Sequence, residues 1–219
     1  MQLRVALRAV VLPREEVHVP PRNGGLAAAP FLMASALTAP IEVPPMSWVI
    51  DNVHSHVGFS VKHMMVATAR GQFKEYRGTF NLDAKDFSKS TFEGEIDVAS
   101  IDTGNADRDN HLRANDFFDA PNHPKITFKS TGIEAKGDGE FAVHGDLTIR
   151  GVTKPVSLEV EFHGTSKNPY GKTVAGLHAH GTINRKDFGV AFNAILETGG
   201  VAVAEKVKLE LDIEAIEQA

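Results

Sequence analysis

The stretch Phe141-Ala-Val-His-Gly-Asp-Leu-Thr-Ile-Arg-Gly-Val-Thr-Lys-Pro-Val-Ser-Leu-Glu-Val-Glu-Phe162 decides the fold. Phe141, Val143, Leu147 and Ile149 are spaced in one phase, and Val156, Leu158, Val160 and Phe162 repeat that phase against Glu159, Glu161 and His163. Successive side chains of an extended chain point to opposite faces, so a period of 2 marks a strand with one oily and one wet face. The intervening Arg150-Gly-Val-Thr-Lys-Pro155 predicts a tight hairpin and hence two antiparallel neighbours.

The same alternation recurs on either side. Val57, Phe59, Val61 and His63 share a face of the first segment, opposite His56, Ser60 and Lys62. The second runs from about Arg70 to Leu82 with Tyr76, Phe80 and Leu82 in phase, and the third sets Phe92, Ile96 and Val98 against Glu93, Glu95 and Asp97. Ile126 and Phe128 phase the fourth; Leu177, Ala179 and Ile183 the seventh; Val207, Leu209, Leu211 and Ile213 the last. Only 105–115 reads as a helix, short and polar, with Asn105 or Thr103 as its cap. These features predict an all-β protein, an extended eight-stranded antiparallel β-barrel with a short helix between strands 3 and 4. Closure buries every apolar face and removes the edges.

Composition agrees with such a body. The 219 residues are 42% apolar and carry a formal charge of -5, with no basic excess of the kind that tracks a phosphate backbone, so nucleic acid is not an expected partner. The absence of cysteine excludes disulfides, thiolate metal sites and a cysteine nucleophile, without fixing the compartment. No apolar run reaches the roughly 18 residues of a membrane-spanning helix. Residues 1–45 hold seven of the eleven prolines and show no period. They read as a disordered tail, or as sequence ahead of a true start at Met46, with a cytoplasmic barrel over 46–219. The alternative is a signal-like segment ending near Ala34-Ser35-Ala36, which would make the protein periplasmic or secreted.

An eight-stranded barrel is either filled by its own side chains or holds one ligand. Gly58, Gly94, Gly145, Gly164, Ala179 and Gly181 fall nearly in phase with bulky inward residues, and either leave room or relieve crowding. If there is room, the lipid-binding wall is expected to include Phe59, Val61, His63, Phe80, Phe92, Ile96 and Phe118. Phe128, Phe141, Leu147, Leu158, Phe162, Leu177 and Ile183 are expected to complete it. A long alkyl or prenyl chain suits such a wall, since each buried methylene contributes about 0.8 kcal/mol. No cofactor is expected.

Other constellations are weighed against simpler readings. Asp51, His54 and Ser55 suggest a hydrolase triad, but in an unbroken strand residue 54 points away from 51 and 55, so strand-entry hydrogen bonding is expected instead. His54 with His56, and His178 with His180, are i, i+2 pairs on the outer face with no obvious carboxylate as third ligand, and no functional metal site is expected. Asp187-Phe188-Gly189 lacks the partners of a kinase motif, and Arg185 with Asp187 reads as a rim ion pair. Arg113, Arg150 and Arg185 are candidates for an acidic head group, and Phe117-Phe118 for a plug and an entrance.

The ordered blocks resemble a known family. Trp48-Val-Ile-Asp-Asn-Val-His-Ser55, Phe59-Ser-Val-Lys-His63, Gly71-Gln-Phe73 and Gly78 look like the opening of the YceI-like, or polyisoprenoid-binding, proteins. Asn110-His-Leu-Arg-Ala-Asn-Asp-Phe-Phe-Asp119 with His123-Pro-Lys-Ile-Thr-Phe128, then 145–156, Ile183-Asn-Arg-Lys-Asp-Phe-Gly189 and 207–213, follow in the family's order. The resemblance implies a lipocalin-like barrel around a hydrophobic channel for a polyisoprenoid or other long-chain lipid, with no catalysis. A structural or stress-response barrel acting through protein partners is the alternative, and a homodimer is left open.

Overall fold

Eleven strands form among the described residues because the period-2 segments have a common interior in which to bury one face. They are β1 (Ser47–Ile50), β2 (His56–His63), β3 (Ala67–Phe73), β4 (Tyr76–Asn81), β5 (Thr91–Asp97), β6 (Ile101–Asp102), β7 (Lys125–Gly137), β8 (Glu140–Ile149), β9 (Val152–Lys167), β10 (Thr173–Asn184) and β11 (Val203–Glu217). One helix, α1 (Ala106–Arg113), lies between β6 and β7. The structure is a computed structural model that describes residues 47–83, 85–195 and 201–218. The readings of residues 1–45 and of a start at Met46 lie outside these.

Every pairing is antiparallel, and β1 returns to β11 to close the sheet. β11 pairs with β1 through 215–217 and with β2 through 203–212, so β1 and β2 are two halves of one stave. β4 and β3 pair with them in turn, and β5 and β6 with those. The eleven strands are therefore eight staves in up-and-down order, a lipocalin-like closed barrel with α1 between the third and fourth. The expected unbroken second segment is two strands, interrupted at Lys74-Glu75. The third stave is interrupted by a 3-10 turn at Val98–Ser100.

Local chemistry fixes the connections. The β8–β9 hairpin is a two-residue turn in which Arg150 (φ 52°) and Gly151 (φ 73°) are both left-handed, as a type I′ turn requires. The strain at Arg150 is offset by its own Nη1, which donates to Phe117 O (3.1 Å) and Gly189 O (3.0 Å). Helix α1 is capped by the Asn105 side chain, which accepts from Arg108 N at 2.9 Å. Thr103 instead donates through its N (2.9 Å) and Oγ1 (2.5 Å) to the buried Asp109, tying α1 to β6.

The interior holds two clusters along the barrel. One, at the α1 end, joins Phe73, Tyr76, Val98, Ile101, Phe117, Ile149, Ile183, Phe188 and Val190; the other joins Trp48, Phe80, Leu82, Phe87, Phe92, Val143, Val160 and Leu177. Several inward glycines relieve crowding rather than leave space. A methyl on Gly145 would lie 2.6 Å from Lys129 O and overlap the Phe128 ring, and one on Gly181 would lie 2.7 Å from Leu158 Cδ2. Gly94 differs, since the nearest atom to its added methyl would be Arg77 O at 3.9 Å.

Candidate functional site

Between the two clusters the lumen is not packed solid. It contains a cavity of about 270 Å³ with an almost wholly apolar wall, close to the lower end of the roughly 300–1,000 Å³ typical of ligand sites. Period-2 alternation on β2, β4, β5 and β7–β11 supplies most of that wall, and closure gathers it around one axis. Phe59, Val61, Phe80, Phe92, Ile96, Phe118, Phe128, Leu147, Leu158, Leu177 and Ile183 all line it. From Leu177 to Ile183 on β10 the wall extends roughly 20 Å along the strand.

Three expected residues lie elsewhere. His63 is exposed and does not line the cavity; it sits at the last position of β2, opposite Ala67 and Val203. Phe141 and Phe162 are half-buried and pack on Phe87, with ring centroids 4.4 and 4.9 Å away, instead of facing the cavity. Phe87 also meets Phe92 at 5.5 Å, so it closes this end of the barrel from a 3-10 turn (Phe87–Lys89) between β4 and β5. Periodicity did not find Phe87; its only signal was a lone aromatic in the polar loop 83–90.

The other end is closed by α1 and the loops around it. Phe117 and Phe118 both line the cavity, because the chain there is a turn and not extended, which releases adjacent rings from facing opposite ways. Phe117 packs on His111 and Phe192, and Phe118 on Phe73. Leu112, Phe188 and Val190, none assigned to the wall from sequence, complete it. Phe188 is the middle residue of the Asp-Phe-Gly match, and the turn Arg185–Phe188 that carries it ends at Gly189 in a left-handed conformation (φ 74°).

Arg113, Arg150 and Arg185 do converge on this end, each bound to backbone carbonyls. The expected Arg185–Asp187 ion pair does not form. Arg185 instead turns inward, is 5% exposed and lines the cavity, and burial pushes its pKa down against the opposing pull of Glu205.

The outer face also corrects the sequence reading. A turn at 51–54 interrupts the first stave and brings His54 Nδ1 to 2.9 Å from Asp51 Oδ2 and 3.7 Å from Glu214 Oε1. Carboxylates therefore do flank His54. Ser55 is not poised as a nucleophile: its Oγ donates to Glu214 O (3.2 Å) and accepts from Glu214 N (2.9 Å), the strand-entry role expected. His178 and His180 pair outward with Asp212 (2.8 Å) and Glu159 (2.7 Å).

The hydrogen bond that His54 donates to Asp51, then the charges of Asp51 and Glu214, raise the His54 pKa above its ordinary 6.5. The hydrogen bond from His54, followed by that from Val53 N, lowers Asp51 below 3.8. The raised histidine stabilises fully below its unfolded value and loses that contribution as pH rises through its folded value; the lowered carboxyl stabilises above its unfolded value and loses that contribution as pH falls through its folded one. The pair thus supports the fold most between about pH 4 and 6.5. His54→Gln is expected to lower the midpoint of thermal unfolding at about pH 5.5 and to leave it nearly unchanged at about pH 8.5. An equal effect at both pH values would remove this pair as the source.

A UPF0312 protein of Staphylococcus epidermidis is 44% identical to the chain over 165 residues, which are 75% of this chain and 94% of that one. The crystal structure of a Campylobacter jejuni YceI protein superimposes with a TM-score of 0.62 at 31% identity, covering 72% of this chain and 90% of that one. A Saccharophagus degradans structure known as a polyisoprenoid binding domain shares the fold, with a TM-score of 0.60 at 14% identity over 79% of this chain and 99% of that one. The YceI-like domain pattern itself matches residues 48–215, from the first stave to the last, and the chain belongs to that family.

Proposed function

We propose that this barrel holds one polyisoprenoid or other long-chain lipid in its lumen, as a non-catalytic carrier or store. The observation that carries the reading is the apolar cavity enclosed by eight staves and closed at one end by Phe87, Phe92, Phe141 and Phe162. A wall of this kind binds by removing hydrocarbon from water, and at about 0.8 kcal/mol per methylene a tail of about ten carbons offsets the ordering cost of association. The Saccharophagus degradans domain has the same architecture and is named for polyisoprenoid binding, which accords with this reading.

The test is titration of the full chain with cis-parinaric acid, following energy transfer from Trp48, the sole tryptophan, which is 2% exposed beside the aromatic end. Saturable one-to-one binding, reversed by geranylgeraniol, is expected. Signal that rises without saturation, or that geranylgeraniol leaves unchanged, would contradict lumen binding.

A further inference from the structure

Arg185 is the one buried arginine or lysine among the described residues. It lies where an oily cavity would favour another apolar side chain, beside Phe188 and Val190. Its Nε donates to Ala204 O (3.0 Å), Nη1 to Val190 O (2.6 Å) and Nη2 to Val203 O (3.3 Å). A guanidinium has five N–H donors, so two are left without an acceptor among the described residues. No described carboxylate pairs with it. Glu205, the acidic group that acts on it, is engaged by Lys186 Nζ at 2.6 Å.

Carbonyl dipoles solvate a cation without neutralising it, and a buried charge without a counter-ion is costly. The three carbonyls also fix the plane of the fork, which matches the oxygens of a carboxylate or phosphate. Arg113 and Arg150, at the same end, do not line the cavity. We propose that Arg185 is the head-group site of the lumen, selecting lipids with an anionic carboxylate or phosphate head and seating their tails toward Phe92 and Leu177. This rests on the lipid reading above and adds to it a charge and a direction.

Calorimetric titration of the full chain with geranylgeranyl phosphate, geranylgeraniol, palmitate and palmityl alcohol separates the cases. At least one anion is expected to bind about 10-fold or more tightly than the alcohol of the same tail, and the anion with the larger preference names the head. Arg185→Lys, which keeps the charge but loses the fork, is expected to retain a reduced preference. Arg185→Gln is expected to abolish it while the alcohols still bind. If Arg185→Gln does not fold, the unmodified chain and Arg185→Lys decide. Equal binding of anion and alcohol by the unmodified chain, or an undiminished preference in Arg185→Gln, overturns the head-group role and leaves the lipid reading standing. Binding of none of the four overturns both.

Discussion

Gly94→Phe is expected to abolish lipid binding, or weaken it by at least about 10-fold, while the barrel still folds. Gly94 lies between Phe92 and Ile96 on β5, both of which line the cavity, so a side chain there enters the lumen. Its backbone is not left-handed, and the closest atom to an added Cβ is 3.9 Å away, so the Cβ meets no close neighbour and the ring is carried toward the lumen. The same change at Gly145 would strike the Lys129 carbonyl and test packing instead. Titration with cis-parinaric acid alongside thermal unfolding checks the claim: binding should fall with the unfolding midpoint shifted by no more than a few degrees, about 1 kcal/mol or less. Undiminished binding by a folded variant would place the lipid outside the cavity.

Phe87→Ala is expected to cost about 3–5 kcal/mol of stability, which for a barrel of this size lowers the unfolding midpoint by roughly 10 °C. Phe87 is 4% exposed, and its ring is shared by Phe92, Phe141 and Phe162 from three different strands. Truncation leaves those three facing a void that a rigid closed sheet cannot collapse to fill. Urea unfolding measures the loss, and a change below about 1 kcal/mol would mean that this end of the barrel is not closed by packing.

Periodicity exposed the eight staves because a one-residue slip would turn each buried face to water, which leaves a strong imprint on sequences such as 141–149 and 156–162. It also identified most of the cavity wall, since inward residues of a closed barrel are wall residues by geometry. It failed where the chain leaves extended conformation. The turn at 51–54 joined His54 to Asp51, against strand alternation, and the turn at 117–118 let two adjacent rings face the same cavity. Phe87 and Phe188 sit in single 3-10 turns too short to show a period, although both are almost fully buried. His63 failed for another reason: it continues the phase of Val57, Phe59 and Val61, but as the exposed last residue of β2 it does not line the cavity. For Arg185, chemistry pointed to an anion, while its inward burial depended on the carbonyls of Val190, Val203 and Ala204 gathering around its guanidinium, contacts partly long-range and without a local signature.

Native mass spectrometry of the full chain, purified without detergent and then loaded with geranylgeranyl phosphate, tests most directly whether the lumen is a lipid site. One lipid per chain is predicted, retained on transfer to the gas phase and missing from Gly94→Phe. A bare chain after loading, or several lipids per chain that Gly94→Phe carries equally well, would contradict it.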